Sequence, residues 1–82
     1  MKTIYKYPVP GRGDILMPIG AKILHINMQG SDICMWALVN TEAVTEYRTF
    51  EVVGTGWELD ENMFYIGTCE EGSFVWHIME IM

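Results

Sequence analysis

The chain predicts an all-β domain, a single small antiparallel β-barrel or β-sandwich of about six to seven strands with little or no helix. Three observations carry this. Short runs rich in β-branched and aromatic residues recur at a spacing of about ten residues, with Gly, Pro, Asn or Asp between them. No segment repeats its apolar residues at helical period over the length a helix needs. One run, Ile33-Cys34-Met35-Trp36-Ala37-Leu38-Val39, is apolar at every position, the pattern of a strand covered on both faces. The 82 residues are read as one domain.

Taken in order, Lys2 to Tyr7 alternates polar with apolar residues and forms a half-buried first strand, stopped by Pro8 and Pro10. Gly11-Arg12-Gly13 is a turn, and Asp14 to Met17 is a short second strand ended by Pro18 and Gly20. Ala21 to Met28 is the third, with Leu24, Ile26 and Met28 on one face and Ile23, His25 and Asn27 on the other. Gln29-Gly30-Ser31-Asp32 closes a hairpin onto the apolar run, which is the fourth strand. Alternation within that run puts Cys34, Trp36 and Leu38 on one face, expected to meet the core. Ile33, Met35, Ala37 and Val39 take the other, expected to form an interface. After a connection from Asn40 to Val44, Thr45 to Val53 is a fifth strand broken by Gly54-Thr55-Gly56. An acidic loop from Trp57 to Asn62 leads to a sixth strand, Met63 to Thr68. The turn Glu70-Glu71-Gly72-Ser73 then leads to a seventh, Phe74 to Met79.

Half of the residues are hydrophobic, with seven Met and three Trp. A chain of this length buries roughly 60% of the surface its unfolded form exposes, so the apolar excess predicts a homo-oligomer. No apolar run approaches the roughly 20 residues that span a bilayer, and the N-terminus lacks signal-peptide character; a cytoplasmic protein without membrane contact is expected. The formal net charge is −6. Lys2, Lys6, Arg12, Lys22 and Arg48 are the only basic residues, and seven acids follow Arg48 with no cation among them. That balance disfavours direct nucleic-acid binding, which needs clustered cations.

Catalysis finds little support. His25 and His77, the only histidines, have no ligand-spaced partners. His77 is expected as a core or interface residue with a satisfied ring, and His25 at an exposed sheet position. Ser31 and Ser73 sit in turns, and the acid pairs Asp60-Glu61 and Glu70-Glu71 are adjacent in sequence, so their side chains diverge. Gly54-Thr55-Gly56 lacks the further glycines, lysine and helix of a phosphate loop. Cys34 and Cys69 lie in separate strands and are expected as buried reduced thiols. No catalytic residue, metal or cofactor is expected. The aromatic and cationic residues are more informative. Tyr47, Arg48 and Trp57, with Lys22, supply the stacking surface and charge-assisted clamp that a nucleotide-type ligand requires. The bland alternatives are aromatics in the core and Arg48 paired with Glu46 or Glu51.

Several phrases also occur together in order: Lys2-Thr3-Ile4-Tyr5-Lys6-Tyr7-Pro8, Gly20-Ala21-Lys22-Ile23-Leu24, Trp36-Ala37-Leu38-Val39, Arg48-Thr49-Phe50, Gly54-Thr55-Gly56, Tyr65-Ile66-Gly67-Thr68 and Phe74-Val75-Trp76-His77. In these the chain resembles a family of short, functionally uncharacterised proteins encoded by bacteriophages and prophages. The resemblance implies a setting in the host bacterial cytoplasm and a non-catalytic accessory role. In such a setting the protein is expected to act against host defence, sequestering a nucleotide-type immune signal in an oligomer pocket. The alternatives are an acidic inhibitor of a nucleic-acid-binding defence protein, using Glu58, Asp60, Glu61, Glu70 and Glu71, and a phage structural or assembly protein.

Overall fold

Seven strands divide between two antiparallel sheets in a computed structural model that describes residues 1–82. The strands are β1 (Lys2–Pro8), β2 (Arg12–Pro18), β3 (Lys22–Gln29), β4 (Asp32–Asn40), β5 (Thr45–Gly54), β6 (Met63–Glu71) and β7 (Phe74–Ile81). Sheet A has the order β1-β4-β3 and sheet B the order β2-β5-β7-β6. The chain has no helix, hence none long and apolar enough to cross a membrane. The Cα extents are 39 × 30 × 16 Å, and the short axis accommodates two sheets at their usual separation of about 10 Å. The two layers do not close into a barrel.

Two devices join the layers. On one side, β1 and β2 form a single bent strand that changes sheet. The Val9 amide donates to Ile33 O (2.8 Å), prolonging the β1–β4 ladder, and the Val52 amide donates to Gly11 O (2.9 Å), starting the β2–β5 ladder. Pro8 and Pro10 bracket the bend, where a missing N–H costs nothing because the ladder changes partner. On the other side β3 and β6 approach directly. Gly67 packs against Ile26 there, and a Cβ at Gly67 would lie 2.9 Å from Cδ1 of Ile26 and displace it. Each of these two strands also carries a register shift, between Ile23 and His25 and between Tyr65 and Gly67. The first corrects the simple alternation expected of β3. Ile23, Ile26 and Met28 face β4's inner residues Ala37, Met35 and Ile33, while Leu24 bulges into solvent.

The core lies between the sheets. Met17, Ala21, Ile26, Met35, Ala37, Val39, Phe50, Cys69 and Ile78 form one buried cluster, with Ile33 packed against it. The face of β4 expected as an oligomer interface is therefore the core face: Met35 and Ala37 are 0% and Val39 2% exposed. Trp36 and Leu38 lie on the outer side, half-buried. The reason is volume. The interior between two short sheets already holds Phe50, Met17, Met35, Ile78 and Val39 fully buried, and an indole added to that layer would need both space and an acceptor for its N–H.

Met35→Lys should not yield a folded monomer, as an interface position would. It should abolish cooperative thermal unfolding followed by circular dichroism, because an unpaired ammonium in this layer costs several kcal/mol. A soluble, folded Met35→Lys protein would place this face outside the core.

Candidate functional site

With the inner faces consumed by the core, the ligand-accessible chemistry lies on the two outer faces and at the ends of the sandwich. Arg48 belongs to an end. It follows β5's inward register with Phe50 and Val52, and Glu80 holds the equivalent place on β7 after Trp76 and Ile78. The guanidinium grips Glu80 through two bonds, Nε to Oε2 at 2.7 Å and Nη2 to Oε1 at 2.8 Å. Nη1 donates to the Ala21 carbonyl at 2.7 Å, and the guanidinium carbon lies 5.6 Å from the Phe50 ring centroid. The Arg48 side chain is 19% and the Glu80 side chain 10% exposed. The hydrogen bond to Glu80 holds the Arg48 pKa above its already high ordinary value. Arg48 thus pairs with neither Glu46 nor Glu51; Arg12 takes Glu51.

The four residues expected to share a ligand pocket do not meet in one protomer. Tyr47 and Arg48 point to opposite faces of β5, and Tyr47 is exposed on the outside of sheet B beside Leu16. Lys22 opens β3 on the outer face of sheet A. Trp57 lies beyond Gly54, the far end of β5, and Gly54 is itself seven residues and about 23 Å from Tyr47 at the usual rise per residue.

The outer face of sheet A gathers a different set. Across the three strands, Lys6, Trp36 and His25 stand in one row, and Ile4, Leu38 and Lys22 in the next, followed by Lys2 beside Asn40. The His25 and Trp36 ring centroids are 5.8 Å apart. Lys6 donates to Gln29 Oε1, crossing above Cys34. None of Lys2, Lys6 and Lys22 forms an ion pair, whereas Arg12 and Arg48 both do. Strand spacings place the three lysine Cα atoms about 10 to 13 Å apart around Trp36 and Leu38. Asp32, at the far end of β4, is the only acid of the three strands. A protein with a net charge of −6 therefore presents one cationic, aromatic face.

The outer face of sheet B is a cleft of about 250 Å³ without a charged lining residue. Val53 and Met79 form its buried floor, and Trp57, Leu59 and Tyr65 rise around it. Gly54 seats the indole of Trp57, which lies 2.8 Å from where a Cβ would stand, so the Gly54-Thr55-Gly56 break also shapes a wall. His77 projects here, outside the core, with both ring nitrogens satisfied. Nε2 lies 2.8 Å from the Thr55 hydroxyl and Nδ1 3.0 Å from that of Thr68, which is 2.6 Å from the Tyr65 hydroxyl. Sequence reasoning missed this set because Thr55 and His77 are 22 residues apart and meet only through the β5–β7 register. Glu80 was missed among the other acids, although its period-two spacing from Trp76 and Ile78 marks it as inward. Cys34 and Cys69 are free and buried, and burial, aided by Glu71, pushes the Cys69 thiol up.

The family described as Domain of unknown function (DUF7352) matches residues 1–81, and the chain belongs to that family. No curated protein and no solved structure matches the chain.

Arg48→Ala should destabilise the fold by about 3 kcal/mol, since it strands the Glu80 carboxylate in a nearly dry site. Arg48→Lys should recover less than half of that loss, because an ammonium cannot make the two parallel bonds. Urea denaturation midpoints measure both, and an unchanged midpoint for Arg48→Ala would show that the pair contributes nothing.

Proposed function

We propose that this is a non-catalytic binding protein that holds a nucleotide-type anion on the outer face of sheet A. One observation carries the reading: the only cations outside ion pairs, Lys2, Lys6 and Lys22, all belong to the outer face of sheet A, with Lys6 in the row of the Trp36–His25 pair and Lys22 in the next. An indole and imidazole offer a base a stacking surface, and flexible lysine ammoniums meet phosphate charges placed around it. The expected combination of stacking and cation is thus supported at residues other than Tyr47, Arg48 and Trp57, with Lys22 retained. The resemblance to short phage and prophage proteins supports counter-defence as the setting, the protein sequestering a host nucleotide immune signal in the host cytoplasm.

Self-association is a separate part of the proposal, carried by exposed apolar residues of sheet B and not by the ligand face. Since β4's inner face is occupied, a second copy would use Leu16, Ile19, Val44 and Tyr47, which are exposed together where the β2–β5 ladder continues through the Ile19 amide to Val44 O. The charge distribution also supports a second reading, a host-protein inhibitor that presents Glu58, Asp60, Glu61, Glu70 and Glu71 away from sheet A to a basic groove.

Cyclic and phosphorylated nucleotides should raise the unfolding temperature, by the equivalent of about 2.7 kcal/mol at a hundredfold excess over Kd, and less at high salt. The combined Lys6→Glu and Lys22→Glu exchange should remove the shift. A broad nucleotide panel without effect at millimolar concentration would refute the reading. On the inhibitor reading, Glu58→Lys, Asp60→Lys and Glu61→Lys together should release a captured host protein, while the two sheet A exchanges leave it bound. Native mass measurement of the protein reports its oligomeric state, and Tyr47→Asp should reduce any oligomer to protomers.

A further inference from the structure

The cleft on sheet B is independent of the lysine face and has its own chemistry. Its polar end is a single chain of four groups, Tyr65 OH, Thr68 Oγ1, the His77 ring and Thr55 Oγ1, joined by contacts of 2.6, 3.0 and 2.8 Å. A neutral imidazole has one N–H and one bare nitrogen, and each hydroxyl has one hydrogen to give. These counts impose a direction on the chain. With the proton on Nδ1, His77 donates to Thr68 and Thr68 to Tyr65, whose own O–H is left free; Thr55 spends its hydrogen on Nε2 and can only accept. With the proton on Nε2 the order reverses: Tyr65 donates to Thr68, Thr68 donates to Nδ1, and Thr55 accepts from the ring and keeps a free O–H. Either way the cleft offers one donor and one acceptor, at opposite ends of the chain. Both end groups, Thr55 and Tyr65, line the cleft.

The remaining walls define the body of the ligand. Val53, Met79 and Leu59 with the faces of Trp57 and Tyr65 favour a flat apolar ring system. The volume, about 250 Å³, falls below the roughly 300 Å³ at which drug-sized pockets begin, so one or two fused rings fill it. No cation lines the cleft, and Glu58, Asp60 and Glu61 belong to the same loop as Trp57 and Leu59, which disfavours phosphate. We infer that the cleft between the Trp57 loop and the Tyr65–Thr68–His77–Thr55 chain is a binding site for a small uncharged planar heterocycle bearing one hydrogen-bond donor and one acceptor, of the type of a free nucleobase. The tautomer exchange of His77 lets the site match such a ring in either orientation.

The two histidines separate this site from the nucleotide face, because His25 lies on sheet A and His77 in the cleft. Adenine, guanine, cytosine and uracil are titrated into the full-length protein while the imidazole nitrogen resonances are recorded. At least one base should move the His77 signals and leave those of His25 in place, with quenching of tryptophan fluorescence. Indole, which has a donor and no acceptor, should bind at least about tenfold more weakly than that base. Thr55→Val removes the hydroxyl at nearly constant volume and should weaken binding about tenfold, and Trp57→Leu, on the exposed loop, should do the same. Bases that leave the His77 signals unmoved at millimolar concentration, that move only His25, or that bind the two variants as tightly as the parent would overturn the inference. The wild-type titration decides the matter even if a variant fails to fold.

Discussion

Burial of Phe50 and Ile78 in one layer with Met35, Ala37 and Val39 is the interaction on which the molecule depends. With 82 residues the chain can build two sheets and fill one space between them, and beyond the Trp57 loop on sheet B little remains to cover the outer faces. Everything else follows from how that space is closed. Along one side a strand bends from sheet A into sheet B at Pro8–Gly11; along the other, Gly67 of β6 packs against Ile26. At one end Arg48 and Glu80 complete the inward registers of β5 and β7 with an ion pair, in a site where either charge alone would be left unpaired and nearly dry.

The outer faces then differ in chemistry because charge is segregated between them. Sheet A displays the three lysines outside ion pairs on the face that carries Trp36, and the acids lie almost wholly elsewhere. Sheet B displays an uncharged cleft, shaped by a loop that folds back onto its own strand through Gly54 and Trp57. Separation of this kind lets one small protein offer a cationic platform and a neutral pocket without either weakening the other.

How much was legible beforehand depended on whether the signal was local. Turn residues and alternation located all seven strands, with ends displaced by at most three residues, because proline, glycine and β-branched residues act on their own backbone. The hairpin turns at Gly30-Ser31 and Gly72-Ser73 were visible for the same reason. Bulges were not. Leu24 leaves the core face and Ile23 joins it since β3 must accommodate β6 at the seam, a demand made by a strand forty residues away.

The sequence by itself determined that the protein is all-β, where its turns fall, and that β4 is apolar on both sides. Tertiary structure alone decided which side of β4 meets the core, because alternation separates two faces but cannot orient them; that choice rests on the volume left by Phe50 and its neighbours. It likewise decided that Arg48 holds Glu80, that Thr55 reaches His77, and that Lys22 of β3 shares an outer face with Lys2 and Lys6 of β1. Each of these depends on strand order and register across the sheets, and register is a property of paired strands which no single stretch of the chain contains.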